Sequence, residues 1–262
     1  MTAPPRLDLA QPRTLGPLLA DSLRIYFRHF RAFLVIGAGV VVPAELIVSG
    51  IGLHELTSGV DTDPGLAASL VPLVVRALVT SPLITAMTVY ALLDLADGRA
   101  PSIRRATQSG LDAFRAVFVP VMLAVAIEAL ATLALVVPLA VAVGSALVPT
   151  LAVPLILAVR WYFVPQSVVV QDARGFGALR TSWETTRGSG WRVAGIVVLA
   201  FVLLATAGGV IATPVVVAAR AADSGALLTL STIVSEALAA PALAIVSVLL
   251  YFDLRSRGGA RV

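Results

Sequence analysis

Long apolar runs separated by short polar segments make up most of the chain. A membrane-spanning helix needs about 20 apolar residues, and on this criterion the pattern predicts six spans. The predicted spans cover residues 32–53, 67–94, 116–142, 148–170, 193–218 and 227–252. We therefore predict an all-α integral membrane protein. Residues 1–13 would form a flexible N-terminal segment, 14–254 a six-helix membrane domain and 255–262 a tail.

Arginine lies mainly at alternate ends of the predicted spans. All 19 basic residues are arginine, and most of them lie before span one, between spans two and three, between spans four and five, or after span six. The opposite ends carry Arg220 and four acidic residues, namely Glu55, Asp61, Asp63 and Asp223. Because arginine-rich loops remain cytoplasmic, both termini are predicted to be cytoplasmic, in the inner membrane of a bacterium. Membrane orientation accounts for the basic residues, so no nucleic-acid partner is predicted.

Composition narrows the possible chemistry. The chain is 58% hydrophobic and 13% charged, far from the balance of a soluble globular domain. It has no cysteine, which excludes disulfides and thiolate sites. Its two histidines, His29 and His54, lie at opposite ends of the first predicted span, so no metal site and no cofactor are predicted. The N-terminal residues lack a basic-then-apolar pattern, and no cleaved signal peptide is expected.

Three polar segments on the predicted cytoplasmic side resemble one another. Each ends in an aromatic–arginine pair that opens the next span, at Phe30–Arg31, Phe114–Arg115 and Trp191–Arg192. Spans two, four and six also share a spacing, because Asp94, Gln166 and Asp253 each follow a proline by twelve residues. We interpret this as a threefold repeat of an interfacial helix and two spans; chance similarity among apolar segments is the alternative.

The segment from Phe176 to Arg187 shows the interfacial pattern most clearly. Helical spacing places Phe176, Leu179 and Trp183 on one face and Arg180, Glu184 and Arg187 on another. Such a helix lies at a membrane surface, with its rings at headgroup depth and its arginines toward phosphate. It could also serve as a docking surface. The lipid-contact candidates are Arg24, Arg28, Arg31, Arg115, Arg180, Trp183, Arg187, Trp191 and Arg192.

Two stretches of the chain resemble the glycerophosphoryl diester phosphodiesterase membrane-domain family and its stand-alone bacterial relatives. They are "RTLGPLLADSLRIYFRHFRAFLVIGAGVVVP" and "RWYFVPQSVVVQDARGFGALRTSWETTRGSGWRV". The matching positions are Arg160, Trp161, Pro165, Asp172, Ala178, Leu179, Arg180, Ser182, Trp183, Gly188, Trp191 and Arg192. Members with phosphodiesterase activity carry it in a separate soluble domain, which we do not expect in this chain. The resemblance therefore implies a membrane fold and no activity.

Five ionisable residues fall inside the predicted spans, where a charge costs about 2.5–3.5 kcal/mol. Glu128 and Arg160 lie about midway along adjacent predicted spans, so they are predicted to be close. They would form either a structural ion pair or a polar centre that binds a headgroup or gates an ion path. Arg76 and Glu236 would either contribute to function or lie near the outer surface and extend to it. Glu45 is the fifth such residue.

Asp94 and Asp253 end spans two and six, and we expect them to pair with arginines of the interfacial segments rather than to catalyse a reaction.

Small residues, including Gly37, Gly39, Ala205 and Gly209, predict close helix packing.

No catalytic constellation accompanies these features. The leading hypothesis is a non-enzymatic membrane protein that interacts with anionic lipids or acts as a membrane scaffold, with a protein partner or as a homo-oligomer. A small transporter or channel that uses the intramembrane charges is the alternative. A lipid-modifying enzyme ranks last because acid–base, nucleophilic and metal groups are not clustered.

Overall fold

The computed structural model describes residues 8, 9, 11–51, 66–142 and 147–259. Every regular element in this part of the chain is a helix, which confirms the predicted all-helical class. The predictions for His54, Glu55, Asp61 and Asp63 concern residues outside the described part of the chain. The α-helices are α1 (Leu15–Arg28), α2 (Phe30–Ile51), α3 (Leu66–Val75), α4 (Ser81–Ala96), α5 (Ile103–Ala142), α6 (Leu147–Trp161), α7 (Val164–Gln171), α8 (Phe176–Thr186), α9 (Gly190–Ala221) and α10 (Gly225–Gly259).

Within the described ranges, six stretches are long and apolar enough to cross a membrane, so the structure indicates a multi-pass membrane protein. We call them spans one to six: Phe30–Val48, Leu70–Ala96, Ile103–Thr132, Val153–Gln171, Gly190–Ala221 and Gly225–Gly258. Span two contains a π-helical turn, Arg76–Thr80, between α3 and α4. Span four is interrupted between α6 and α7, at Tyr162 and Phe163.

Span three differs from its prediction at its start. The polar residues from Ile103 onward are continuous with the span in one 40-residue helix, α5, and do not form a separate interfacial helix. Turns separate the other two polar segments from their spans, at His29 and at Arg187–Ser189, where Gly188 has φ +74°. No comparable turn occurs along α5, so the helix continues unbroken.

Span six forms the centre of the helix bundle. In its most apolar stretch 56% of the residues are buried, against 11% for span five. Gly37 of α2 allows the closest approach, since a Cβ atom built there would lie 2.3 Å from the carbonyl oxygen of Ala237. The predicted packing role of Gly37 is thus confirmed. Gly39 and Gly209 have no such neighbour within 4 Å.

Candidate lipid-contact end and intramembrane cavity

Asp253 lies at the centre of an arginine cluster. Its side chain is fully buried and accepts hydrogen bonds from Arg192 at 3.0 Å and from Arg257 at 3.1 Å. The backbone N–H of Arg13 donates to the same carboxylate, and the Arg13 carbonyl accepts from both arginines. The predicted pairing with an arginine of an interfacial segment is confirmed for Asp253. We call this end of the bundle the arginine-rich end.

Asp94 is bound in a similar way at the end of span two. Its buried carboxylate accepts from Arg105 at 2.7 Å, from Arg99 at 3.5 Å and from the backbone N–H of Ser102 at 3.2 Å. Arg105 belongs to the first turn of α5, so the predicted pairing is confirmed here as well. Asp94 thus joins the end of α4 to the start of α5, and Asp253 joins the end of α10 to Arg13 and to the start of α9.

Helix length places the lipid-contact candidates relative to the membrane. At 1.5 Å per residue, the 40 residues of α5 extend about 60 Å, twice the roughly 30 Å hydrocarbon thickness. The polar first turns must therefore project beyond the apolar layer, which begins after Arg115. Arg115 is exposed, as are Arg28 and Arg31 near the start of span one.

Exposed aromatic side chains accompany these arginines. Trp191, at the start of span five, is 92% exposed, and Phe27 of α1 and Phe176 of α8 are 67% and 68% exposed. Rings of this kind contact lipid near the headgroups. Arg192 behaves differently from its neighbours, because it is half-buried and bound to Asp253. It acts as a structural residue in this fold.

Helix α1 does not lie flat across the arginine-rich end. The residue before its N-cap, Arg13, contacts Asp253, whereas Tyr26 near its C-terminus donates a hydrogen bond to the Leu238 carbonyl at 2.9 Å. Asp253 and Leu238 are about 22 Å apart along α10, so α1 is inclined along that helix. A buried stripe that includes Leu18 and Ile25 packs against the rest of the protein.

His29 follows α1 at the turn into span one. Burial and the neighbouring Arg28 lower its pKa, so the ring is neutral at neutral pH. Among the described residues, no group of three His, Cys, Asp or Glu side chains is arranged to hold a metal ion.

Helix α8 packs on the interruption of span four. On α8, Arg180 and Glu184 form an ion pair at 2.9 Å, one helical turn apart, in agreement with the predicted common face. Its Ser182 hydroxyl accepts from the Phe163 backbone N–H at 3.2 Å and donates to the Arg160 carbonyl at 2.8 Å. One serine thus satisfies two backbone groups that the interruption of the helix leaves free. The sequence included Ser182 only through the family resemblance and gave no signal for this role.

Glu128 and Arg160 are not brought together. Arg160 lies in the last turn of α6, and its guanidinium lies 5.1 Å from the centroid of the Trp183 ring. Val159 beside it lies close to the start of α9, since a Cβ atom built on Gly190 would be 3.9 Å from its side chain. Arg160 therefore lies directly before the interruption of span four, next to α8 and the start of α9. The ion pairs between described residues do not include Glu128.

A different ion cluster forms within the spans. Arg76, in the π-helical turn, makes an ion pair with Glu236 of α10 and lies 3.8 Å from Glu45 of α2. From the sequence, Arg76 and Glu236 were expected either to contribute to function or to lie near the outer surface, and no pairing between them was predicted. The contacts of Arg76 with Glu236 and Glu45 connect spans one, two and six.

A cavity of about 510 Å³ lies beside this ion cluster, bounded by spans two, four, five and six. Arg76 and Glu236 line it, together with the apolar side chain of Phe201. Gln166 also lines the cavity; its Nε2 donates to the Ser247 hydroxyl at 3.0 Å, while its buried Oε1 has no hydrogen-bond partner in the structure. From the sequence, Gln166 was identified only by its spacing after a proline, and its position in a cavity was not predicted.

Comparisons with known proteins yield no match. No family model matches the chain, and neither a curated protein nor a solved structure is significantly similar to it.

Proposed function

We propose that the protein is a non-enzymatic, multi-pass protein of a bacterial inner membrane that binds anionic lipids at its cytoplasmic, arginine-rich end. The observation that carries the proposal is the set of exposed arginines beside exposed aromatic rings where the spans begin. An arginine near a negatively charged leaflet contributes about 1 kcal/mol of attraction. Several such residues, each beside the start of a span, would together recruit anionic lipid.

The proposal extends to the threefold repeat. Two observations support it: Asp94 and Asp253 each follow a proline by twelve residues, and each binds two arginines. The interfacial part of the repeat is best supported for α8, which packs over span four while exposing Phe176 and Trp183.

The lipid proposal predicts a loss of lipid selectivity when the exposed arginines are neutralised. Arg28→Gln, Arg31→Gln and Arg115→Gln should each lower the preference for anionic lipid about fivefold at the local site. Quenching of tryptophan fluorescence by brominated phosphatidylglycerol, relative to brominated phosphatidylcholine, measures this preference. These three arginines make no ion pair with any described residue, so the variants should remain folded.

Arg220→Gln is the matched control, because Arg220 is exposed at the opposite end of α9. It removes the same charge and should leave the quenching ratio unchanged. An unchanged ratio in the triple variant Arg28→Gln/Arg31→Gln/Arg115→Gln would refute lipid binding by these arginines.

The intramembrane cavity favours a second candidate function, a small transporter or channel. Interrupted helices and π-helical turns occur at the binding sites of membrane transporters and other functional sites, and both border this cavity. On this hypothesis Glu236→Gln should reduce proton or solute flux into proteoliposomes without unfolding the protein. Glu128→Gln is the control, since Glu128 does not line the cavity. Equal flux in both variants and wild type would exclude this role for the cavity.

A further inference from the structure

A second concave surface lies at the arginine-rich end, between α8 and the last turns of α10. This groove has a volume of about 410 Å³. Three arginines line it, Arg187, Arg255 and Arg257, together with the side chains of Thr185 and Ser189. Guanidinium groups donate hydrogen bonds, whereas the Thr185 hydroxyl already donates to the Thr181 carbonyl at 2.8 Å, so it is the arginines that suit the groove to an acceptor-rich group.

The charges of the groove do not cancel. Arg257 is paired with Asp253, and Glu184, the one acidic residue lining the groove, is paired with Arg180. Arg187 and Arg255 make no ion pair with any described residue, and Arg255 lies over the Tyr251 ring at 5.9 Å. Two guanidinium charges therefore remain available to one ligand.

We propose that this groove binds a phosphate monoester, carried either by a lipid headgroup or by a soluble metabolite. A monoester carries close to two negative charges at neutral pH, which match two uncompensated guanidiniums, whereas a diester carries one. The groove is also larger than a phosphate group alone and accommodates part of the attached alcohol. This inference rests on the proposed lipid-binding function, because α8, the helix that forms the groove, also carries the exposed side chain of Trp183.

Binding of a monoester has a characteristic pH dependence. Its second ionisation has a pKa of about 6, whereas the arginines stay charged throughout the accessible range. Affinity should therefore rise between pH 5 and pH 8 and then level off. A phosphate diester has no ionisation in this range, so its binding should remain flat.

The test uses the full chain in phosphatidylcholine nanodiscs, with native mass spectrometry to count bound ligand. The probes are short-chain phosphatidic acid as lipid monoester, phosphatidylglycerol as lipid diester and glycerol 3-phosphate as soluble monoester. Phosphatidic acid should bind more tightly than phosphatidylglycerol, and Arg187→Gln and Arg255→Gln should each weaken its binding about tenfold. Glu184→Gln should strengthen it about fivefold, because a repelling carboxylate is removed.

Arg174→Gln is the matched control. Arg174 is exposed, pairs with Asp172 and does not line the groove, so this variant should bind like wild type. Tight binding of glycerol 3-phosphate would assign the site to a soluble monoester, and tight binding of phosphatidic acid alone would assign it to a headgroup. Equal affinity in wild type, Arg187→Gln and Arg255→Gln would overturn the inference, as would a loss of the same size in Arg174→Gln.

The two proposals fail separately. If phosphatidylglycerol preference depends on Arg28, Arg31 and Arg115 while the groove variants change nothing, the lipid-binding function stands and the monoester site does not. If none of these arginines affects the binding of lipid or of glycerol 3-phosphate, both proposals fail.

Discussion

Asp253→Asn is expected to destabilise the protein by about 3–5 kcal/mol, the typical cost of breaking a buried ion pair by removing one partner. The substitution preserves the shape of the side chain but removes the charge that Arg192 and Arg257 share. The Nε atom of Arg192 is already buried without a partner, so little else compensates its charge. Thermal unfolding in detergent, followed by far-ultraviolet circular dichroism, measures the effect.

Asp97→Asn is the control for this prediction. Asp97 is exposed and forms an ion pair with the exposed Arg99, an arrangement that contributes about 0–1 kcal/mol. Equal unfolding temperatures for Asp253→Asn and Asp97→Asn would show that the arginine-rich end does not depend on the buried carboxylate.

Gly37→Ala is expected to separate span one from span six. The added Cβ would lie 2.3 Å from the Ala237 carbonyl oxygen and 2.7 Å from the Pro241 ring. Neither backbone nor ring can move aside without shifting a helix, and overpacking of this kind costs about 1–3 kcal/mol. The expected result is a lower unfolding temperature, with a larger drop for Gly37→Val.

Gly39→Ala provides the comparison, because it adds the same methyl group two residues away, where no atom lies within 4 Å. It should retain or slightly raise the stability, since alanine is the better helix former. A Gly37→Ala protein as stable as Gly39→Ala would contradict the close packing of α2 on α10.

The features that the sequence predicted correctly depend on local properties. Apolar length alone determines that six helices can cross a membrane, and the structure has six. The pairing of Asp94 and Asp253 with arginine followed from the cost of burying a carboxylate near many cations. Neither the number of spans nor the pairing of the two aspartates with arginine depends on how one helix is rotated against another.

The features that were missed depend on such rotations and interruptions. The proposed Glu128–Arg160 pair assumed one continuous span four, whereas the helix ends at Trp161 and leaves Arg160 against Trp183. The Arg76 cluster requires a π-helical turn, in which one extra residue rotates the following side chains by about 100°. No periodicity in the apolar residues reveals that turn.

The decisive test of anionic-lipid binding is native mass spectrometry of the wild-type protein extracted with its own membrane lipids. Anionic lipid should remain bound after gentle detergent exchange and should be lost in the Arg28→Gln/Arg31→Gln/Arg115→Gln variant. A protein that carries no lipid, or only neutral lipid, would contradict anionic-lipid binding.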